Sequence, residues 1–287
     1  MTGTSGIQHA FSWRWKRVVF VARSYLARAS IAWRWGFKPG GRPHKLPAPL
    51  IVSLTSYPPR FGYLAITLRS LLRQTVKADR TILWIAHEDF PLLPREVMDL
   101  QMADLEIRQT DNLKSYKKII PVLDAFPNAF IATADDDLYY WPSWLEELVE
   151  GTADRTITCH RAHEITFDTQ GVFKPYSEWI LDTHLRGESN RLFPTGIGGI
   201  LYPPGILAHR AEDRHAAFDL CPKADDVWLY WIGRGNGAHY KTVGRWRNLI
   251  AWKGTQDGAL WHDNLLRGGN DEQIRKIAEK YGYPDVK

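Results

Sequence analysis

The stretch Ala129-Phe-Ile-Ala-Thr-Ala-Asp135-Asp136-Asp137-Leu-Tyr-Tyr ends an apolar run in three adjacent carboxylates. Neighbouring acids repel one another, and a divalent cation offsets that cost. Hard oxygen ligands of this kind suit Mg2+ or Mn2+, with water and substrate phosphates in the remaining coordination positions. If the strand continues through the acids, side-chain alternation turns Asp135 and Asp137 to one side and Asp136 to the other. A second acidic pair, Asp225-Asp226, stands in Leu220-Cys-Pro-Lys-Ala-Asp-Asp-Val-Trp228-Leu at the start of an expected helix over 225–232. A carboxylate there can take the proton of an attacking hydroxyl or can cap the helix, and the sequence leaves both roles open. Lys114 and Lys117, in Asp111-Asn-Leu-Lys-Ser-Tyr-Lys-Lys118, lie near the amino end of another expected helix, where a cation and the helix dipole would both favour phosphate.

The elements that must hold these groups alternate along the chain. Leu50–Ser56, Arg80–Ala86, Leu105–Gln109 and Ala129–Ala134 read as strands; Tyr63–Gln74, Pro94–Met102 and Ser115–Ala125 read as helices. Such alternation predicts an α/β fold with a mostly parallel sheet flanked by helices, whose ligands bind at the carboxyl ends of the strands. Gly36–Pro49 is dense in Gly and Pro and reads as a linker, so the expected organisation is a basic, aromatic-rich tail over 1–48 and one catalytic domain over 49–287. In Gly196-Ile-Gly198-Gly199-Ile-Leu201 a leucine stands where a dinucleotide fingerprint needs its third glycine, and no phosphate-binding GxxxxGK loop occurs.

With strand, helix and Asp-x-Asp in this order, the chain resembles the nucleotide-sugar-dependent glycosyltransferases of the GT-A fold, in particular bacterial, family 2-like members. The likeness spans about Leu50 to Asn270. Ile51-Val-Ser-Leu-Thr55-Ser56-Tyr57-Pro-Pro-Arg60-Phe looks like the first strand and nucleotide loop of that fold, and Thr67–Gln74 like the helix after it. The resemblance implies a nucleotide-diphosphate sugar donor contacted by Thr55, Ser56, Tyr57, Arg60, Lys114, Lys117 and Asp136. It also implies Mn2+ or Mg2+ held by Asp135 and Asp137, with His262 as the closest match to a third ligand and His239 as its competitor. Asp226 matches the catalytic base of inverting members, with Asp225 in the preceding acidic position. Phe193-Pro-Thr-Gly-Ile-Gly198-Gly199-Ile-Leu-Tyr202 resembles the acceptor segment, to which Gly198 and Gly199 would contribute; Trp228 and Trp179 are candidates for stacking on an acceptor sugar. His160 and His163 stand where they could line the same cleft, though a structural role is the more frequent one. The acceptor implied is a glycan or a lipid-linked glycan, as in lipopolysaccharide or capsule synthesis, worked on at the cytoplasmic face of a membrane.

Charge and composition narrow the alternatives. The chain has 287 residues with 37 Lys+Arg and 32 Asp+Glu, but residues 1–48 hold nine basic residues and no acid, so the rest, with 28 basic against 32 acidic residues, is net −4. A nucleic-acid partner is not expected, because the basic residues lie off the folded domain and no reading motif is present. Their interleaving with Phe11, Trp13, Trp15, Phe20, Tyr25, Trp33, Trp35 and Phe37 is the composition of a segment at an anionic bilayer interface; Arg17, Arg23 and Arg28 interrupt anything near the ~20 apolar residues of a spanning helix. A helix packed on the body or a disordered arm would have the same composition. Two cysteines, Cys159 and Cys221, are too few for a disulfide scaffold. The rival activities are a nucleotidyltransferase that makes a nucleotide sugar, against which stands the absence of a Gly-rich, basic loop after the first strand, and a non-catalytic glycan-binding protein, which would have no use for the acidic triplet.

Overall fold

The computed structural model describes residues 4–37, 40–208, 211–252 and 269–286, and of residues 4–18 and 211–215 it describes the backbone alone. Leu50-Ile-Val-Ser-Leu-Thr is an unbroken run without polar alternation, as expected of a strand covered on both faces, and it forms the central strand β2 (Leu50–Thr55). The other strands are β1 (Arg42–Pro43), β3 (Val76–Lys77), β4 (Arg80–Ala86), β5 (Leu105–Thr110), β6 (Phe130–Ala134), β7 (Thr156–Cys159), β8 (Ala162–Glu164), β9 (Gly187–Glu188), β10 (Leu192–Pro194), β11 (Ile200–Tyr202) and β12 (His239–Thr242). The helices are α1 (Thr4–Phe37), α2 (Phe61–Leu71), α3 (Arg95–Met98), α4 (Ile120–Ala125), α5 (Trp144–Glu150), α6 (Ala211–Leu220), α7 (Asp225–Gly235) and α8 (Gly269–Tyr281).

Eight strands form one sheet in the order β5-β4-β2-β6-β11-β7-β12-β9. The β5-β4-β2-β6 half is parallel throughout, and β12 runs parallel to β7. Inserted between the halves, β11 is antiparallel to both β6 and β7, pairing Ile200 with Thr133 and with Cys159. That insertion matters for the site: the segment before β11 arrives where β6 and β7 end. Alternate β2 side chains enter different cores. Leu50, Val52 and Leu54 join α2, α3 and α5 on one face, whereas Ile51 faces a second cluster with α4, α7 and α8.

The expected α/β class and the four leading strands are present, with boundaries within about a residue of the sequence reading. The expected helix over Ser115–Ala125 is instead a 3-10 turn, Lys114–Lys118, followed by α4. Pro121 is the reason: it has no N–H to donate and is tolerated only in a first helical turn, which is where α4 places it. The helix expected over Pro94–Met102 likewise divides into α3 and a 3-10 continuation, Asp99–Ala103.

Arg42 and Pro43 pair with Val76 and Lys77, and the second half of α1 is docked on the body. Ala27 and Ile31 pack with Trp252, and Arg34, 2% exposed, donates to the carbonyls of Arg73 (2.6 Å) and Tyr140 (3.3 Å). Removing a buried charged donor leaves those carbonyls unpaired, so Arg34→Ala should cost about 2–3 kcal/mol. Urea unfolding of the variant checks this, and a loss below about 0.5 kcal/mol would show that α1 adds nothing to the stability of the body.

Candidate active site

The acidic triplet lies just beyond β6, at the carboxyl end of the parallel half-sheet. The strand stops at Ala134, so the expected alternation fails: Asp136 and Asp137 sit in a turn and point together, while Asp135 points elsewhere. Asp136 is nearly fully buried and accepts from Ser56 Oγ (2.5 Å) and Arg60 Nη1 (2.8 Å). Asp137 Oδ2 lies 3.1 Å from the same Arg60 nitrogen. Burial raises the Asp136 carboxyl pKa above the usual carboxylate range even with Arg60 beside it; the two acids in turn push Arg60 upward against its own desolvation. The turn is anchored from outside, because Trp252 N–H donates to the Asp137 carbonyl (2.9 Å) and Asp135 N–H to Tyr140 Oη (2.6 Å).

Asp135 turns toward Lys118, whose Nζ donates to Oδ1 at 3.0 Å and lies 3.5 Å from Asp225 Oδ2. Lys118 is buried; Asp135, Asp225 and Asp226 raise its pKa well above the usual lysine value, overcoming the desolvation that opposes them. Its backbone is fixed by Ser53 Oγ, which donates to the Lys118 carbonyl at 2.6 Å. Asp225 Oδ2 is buried and takes no hydrogen bond from a described residue, and Lys118 Nζ, at 3.5 Å, is its counter-charge.

Asp226 completes the cluster. Its oxygens both accept from the Gly196 N–H, at 2.9 and 3.0 Å. The residue is half-buried, yet its carboxylate is surrounded by protein, and desolvation followed by the Asp225 charge pushes it up to about 7. The capping alternative does not describe this geometry: Ala224 is the N-cap of α7, there is no side-chain capping bond, and Asp226 is spent on a different segment.

Several expected site residues stand elsewhere than the sequence suggested. Lys114 is exposed, at φ 53°, and its backbone N–H donates to Asn112 Oδ1. Lys117 is buried near the Ser56 carbonyl (3.4 Å) and Asp89 (4.0 Å). The element that carries them is a five-residue 3-10 turn, so the helix-dipole argument for phosphate does not apply to it. Lys118, passed over in the sequence, is the lysine that meets the acids; the signal that could have found it is that Pro121 confines the helix to its far side. Thr55 Oγ1 donates to the Trp84 carbonyl, and Tyr57 is exposed with Arg60 over its ring.

The expected acceptor glycines have a structural job. Gly198 and Gly199 both have φ near +100°, and a Cβ on Gly199 would stand 2.6 Å from the Trp144 ring; Gly198 also accepts from Trp144 Nε1 at 2.7 Å. Gly196 is the glycine at the carboxylate cluster, since a Cβ there would lie 2.9 Å from Asp226 Oδ1 and 3.1 Å from Lys118 Nζ. Trp228 is fully buried against Tyr116, and Trp179 is enclosed by Phe173, Tyr176 and Phe193, so neither is placed to stack on an acceptor. His160 and His163 are buried and bonded to backbone, and burial lowers them to about 4 and about 3. His239 is exposed and faces Glu188, at the opposite, amino end of β12. His262 lies outside the described residues.

Asp135 and Asp137, the expected pair of metal ligands, face different cations, Lys118 and Arg60, and of the two Asp135 is the more open carboxylate. Asp135 Oδ2 accepts no hydrogen bond from a described residue, and the Asp135 side chain keeps 21% exposure. Among the described residues no three Asp, Glu, His or Cys side chains converge as a protein cage for a metal. Asp135 by itself fits an Mg2+- or Mn2+-type site in which water and phosphate supply most of the ligands, while Asp137 is held by Arg60.

No protein family and no curated protein matches the chain. Among solved structures it is similar to 4-diphosphocytidyl-2C-methyl-D-erythritol synthase from Anaerococcus prevotii DSM 20548, at 13% identity over 73% of this chain and 94% of that one, with a TM-score of 0.46. It is also similar to Staphylococcus aureus TarS residues 1–349 in complex with UDP, at 14% identity over 83% of this chain and 67% of that one, with a TM-score of 0.49. The same TarS fragment without UDP matches at 12% identity with a TM-score of 0.49.

The electrostatics of the cluster can be tested without a substrate. Lys118→Met leaves three carboxylates without their shared cation, a loss of about 3–5 kcal/mol for a broken buried pair. Since Asp226 takes up a proton as pH falls through about 7, the loss should be larger at pH 8 than at pH 5.5. Chemical denaturation at the two pH values reads the difference; equal losses would remove Asp226 from the cluster.

Proposed function

We propose that the chain is a metal-dependent glycosyltransferase of the GT-A type, which moves a sugar from a nucleotide-diphosphate donor to a hydroxyl of a glycan or lipid-linked acceptor with inversion at the anomeric carbon. The observation that supports this best is the placement of Asp226: the Gly196 N–H holds its carboxylate in the cluster that Lys118 forms with Asp135 and Asp225, and burial there raises its pKa to about 7, the range of a base near neutral pH. A nucleotidyltransferase attacks with a phosphate that is already ionised and has no need of such a base.

In this reading Arg60 and Ser56 fix Asp136 for contact with the donor, and Asp135 is the carboxylate that would hold Mn2+ or Mg2+. When bound, the ion would supply positive charge to the leaving nucleoside diphosphate. Gly196 N–H holds the Asp226 carboxylate in place, and its lack of a side chain leaves room for that contact. As the acceptor oxygen forms its bond to the anomeric carbon, the bond to the diphosphate breaks and the acceptor proton passes to Asp226. Lys118 lies 3.5 Å from Asp225 Oδ2 beside the base, and burial together with Asp225 keeps the affinity of Asp226 for a proton high.

Asp226→Asn retains an acceptor oxygen for Gly196 but cannot take the proton. Transfer should fall by about 10²–10⁴-fold while donor affinity persists, measured by product formation from a panel of nucleotide sugars with Mn2+ and by calorimetric titration of the nucleoside diphosphate. The wild-type rate should rise with pH to a plateau above about 7, because the base works deprotonated. Stability runs the other way: a carboxyl raised in the folded state contributes most below its ordinary value of 3.8 and loses that contribution as pH rises through about 7, so Asp226→Asn should melt higher than wild type at pH 8. A fully active Asn variant, or formation of nucleotide sugar from a nucleoside triphosphate and a sugar phosphate without transfer, would overturn the proposal.

A further inference from the structure

The loops at the carboxyl end of the sheet follow the strand order, so each has a place in a row. Ser56 and Arg60 follow β2, the acidic triplet follows β6, Gly196 precedes the antiparallel β11, Arg161 follows β7, and Trp246 and Arg247 follow β12. Gly196, with the Asp226 carboxylate on its N–H, therefore stands between the acidic turn and a second group of side chains to which the transfer step above gives no role.

That group is basic. Arg161 Nη1 donates to Thr195 Oγ1 at 3.0 Å, one residue from Gly196, and Arg161 Nε lies 3.2 Å from Asp182 Oδ1. The Arg161 side chain keeps 25% exposure. Arg186 adjoins Gly187, which pairs with Thr242 at the end of β12, and Thr242 pairs with Cys159 at the end of β7. Arg186 Nη1 donates to the Leu185 carbonyl at 2.9 Å, but its Nε and Nη2 are buried and make no hydrogen bond among the described residues. Arg247 is taken up by Glu147 through two bonds of 2.8 Å, whereas Asp182 is the carboxylate that both Arg161 and Arg186 feel. Two guanidinium groups thus share one acid, and buried N–H groups of a cation without an acceptor are costly. Beside them the rings of His184 and Trp246 stack, with centroids 4.4 Å apart and planes 14° from parallel. Trp246 keeps 37% exposure where Trp228 and Trp179 are buried, and an open indole offers an apolar face to the C–H groups of a sugar. Leu249 of the same segment closes the group toward the site, since a Cβ on Gly198 would stand 3.2 Å from Leu249 Cδ1 and 3.7 Å from Arg161 Cβ.

Outside residues 1–48 the chain is net negative, so a local excess of cations next to the base selects for negative charge. We propose that Arg161 and Arg186 form an oxyanion subsite for the acceptor: the acceptor glycan carries a phosphate or a carboxylate, which the two planar guanidinium groups hold while its sugar lies at Trp246 and turns a hydroxyl toward Asp226. The inference rests on the transferase reading. Asp182 competes with the acceptor's anion for Arg161.

The test is ligand-detected NMR titration of the full chain, without donor, with methyl glucuronide, glucose 6-phosphate and methyl glucoside. The first two separate carboxylate from phosphate, and the third removes the charge. At least one anionic sugar should bind about tenfold or more tighter than the neutral one, and Arg161→Gln and Arg186→Gln should each abolish most of that preference. Asp182→Asn should tighten anionic binding, whereas Arg275→Gln, at an exposed side chain of α8 paired with Glu279, should change nothing. If an arginine variant fails to fold, the gain in Asp182→Asn still reads the subsite. Nucleoside diphosphates titrated with Mn2+ should bind all these variants as they bind wild type. Nucleotide binding without preference for an anionic sugar overturns the subsite and leaves the transferase reading standing; anionic-sugar binding without nucleotide binding does the reverse. A preference that survives both arginine substitutions, or that falls equally in Arg275→Gln, would also overturn the subsite.

Discussion

The buried ammonium of Lys118 is the interaction on which the site depends. Asp135, Asp225 and Asp226 come from two stretches of chain about ninety residues apart, and only a shared cation makes it tolerable to bring three carboxylates together away from water. A charge in that position must itself be held in place. Ser53 does this from the central strand by donating to the Lys118 carbonyl, and Trp84 Nε1 donates in turn to Ser53 Oγ. The cluster is therefore wired into the interior of the parallel sheet.

Topology supplies the encounter that Lys118 then stabilises. A purely parallel sheet would carry the second half of the chain onward from one edge. Because β11 enters antiparallel between β6 and β7, Gly196 instead arrives beside the end of β6, and its N–H meets the first turn of α7. The glycines that follow serve this geometry by different means. Gly199 lets the backbone pass against Trp144, and Gly196 leaves room for a carboxylate and an ammonium. The same turn is braced from the far side by residues 250–252 and, through Arg34, by α1.

The acidic turn is divided between two cations. Arg60 neutralises Asp136 and Asp137, and Lys118 neutralises Asp135, so each part of the triplet has a different electrostatic neighbour. This partition lets three acids coexist at a strand end before any ligand binds. It also leaves the Asp135 carboxylate as the more open arm toward solvent, and it separates the side that holds Ser56 and Arg60 from the side where Asp226 sits.

The sequence by itself determined the α/β class, the leading strands and the fact that acids gather at the end of β6, because unbroken apolar runs and an abrupt change to charge are local properties of the chain. It also marked Asp226, Ser56, Arg60 and Asp136 as residues to watch. Tertiary structure decided the rest. Whether Asp135 and Asp137 share a side depended on where the strand stops, and tertiary packing ends it at Ala134. Which lysine reaches the acids depended on the turn around Pro121, and alternation of charge along the chain could not distinguish Lys114 from Lys118. Trp228 had the composition of a sugar platform but is buried, since burial of a large aromatic is set by which helix face meets the sheet. The side of α1 that meets the body is not marked in the sequence, and only docking on Trp252 and Tyr140 identifies it.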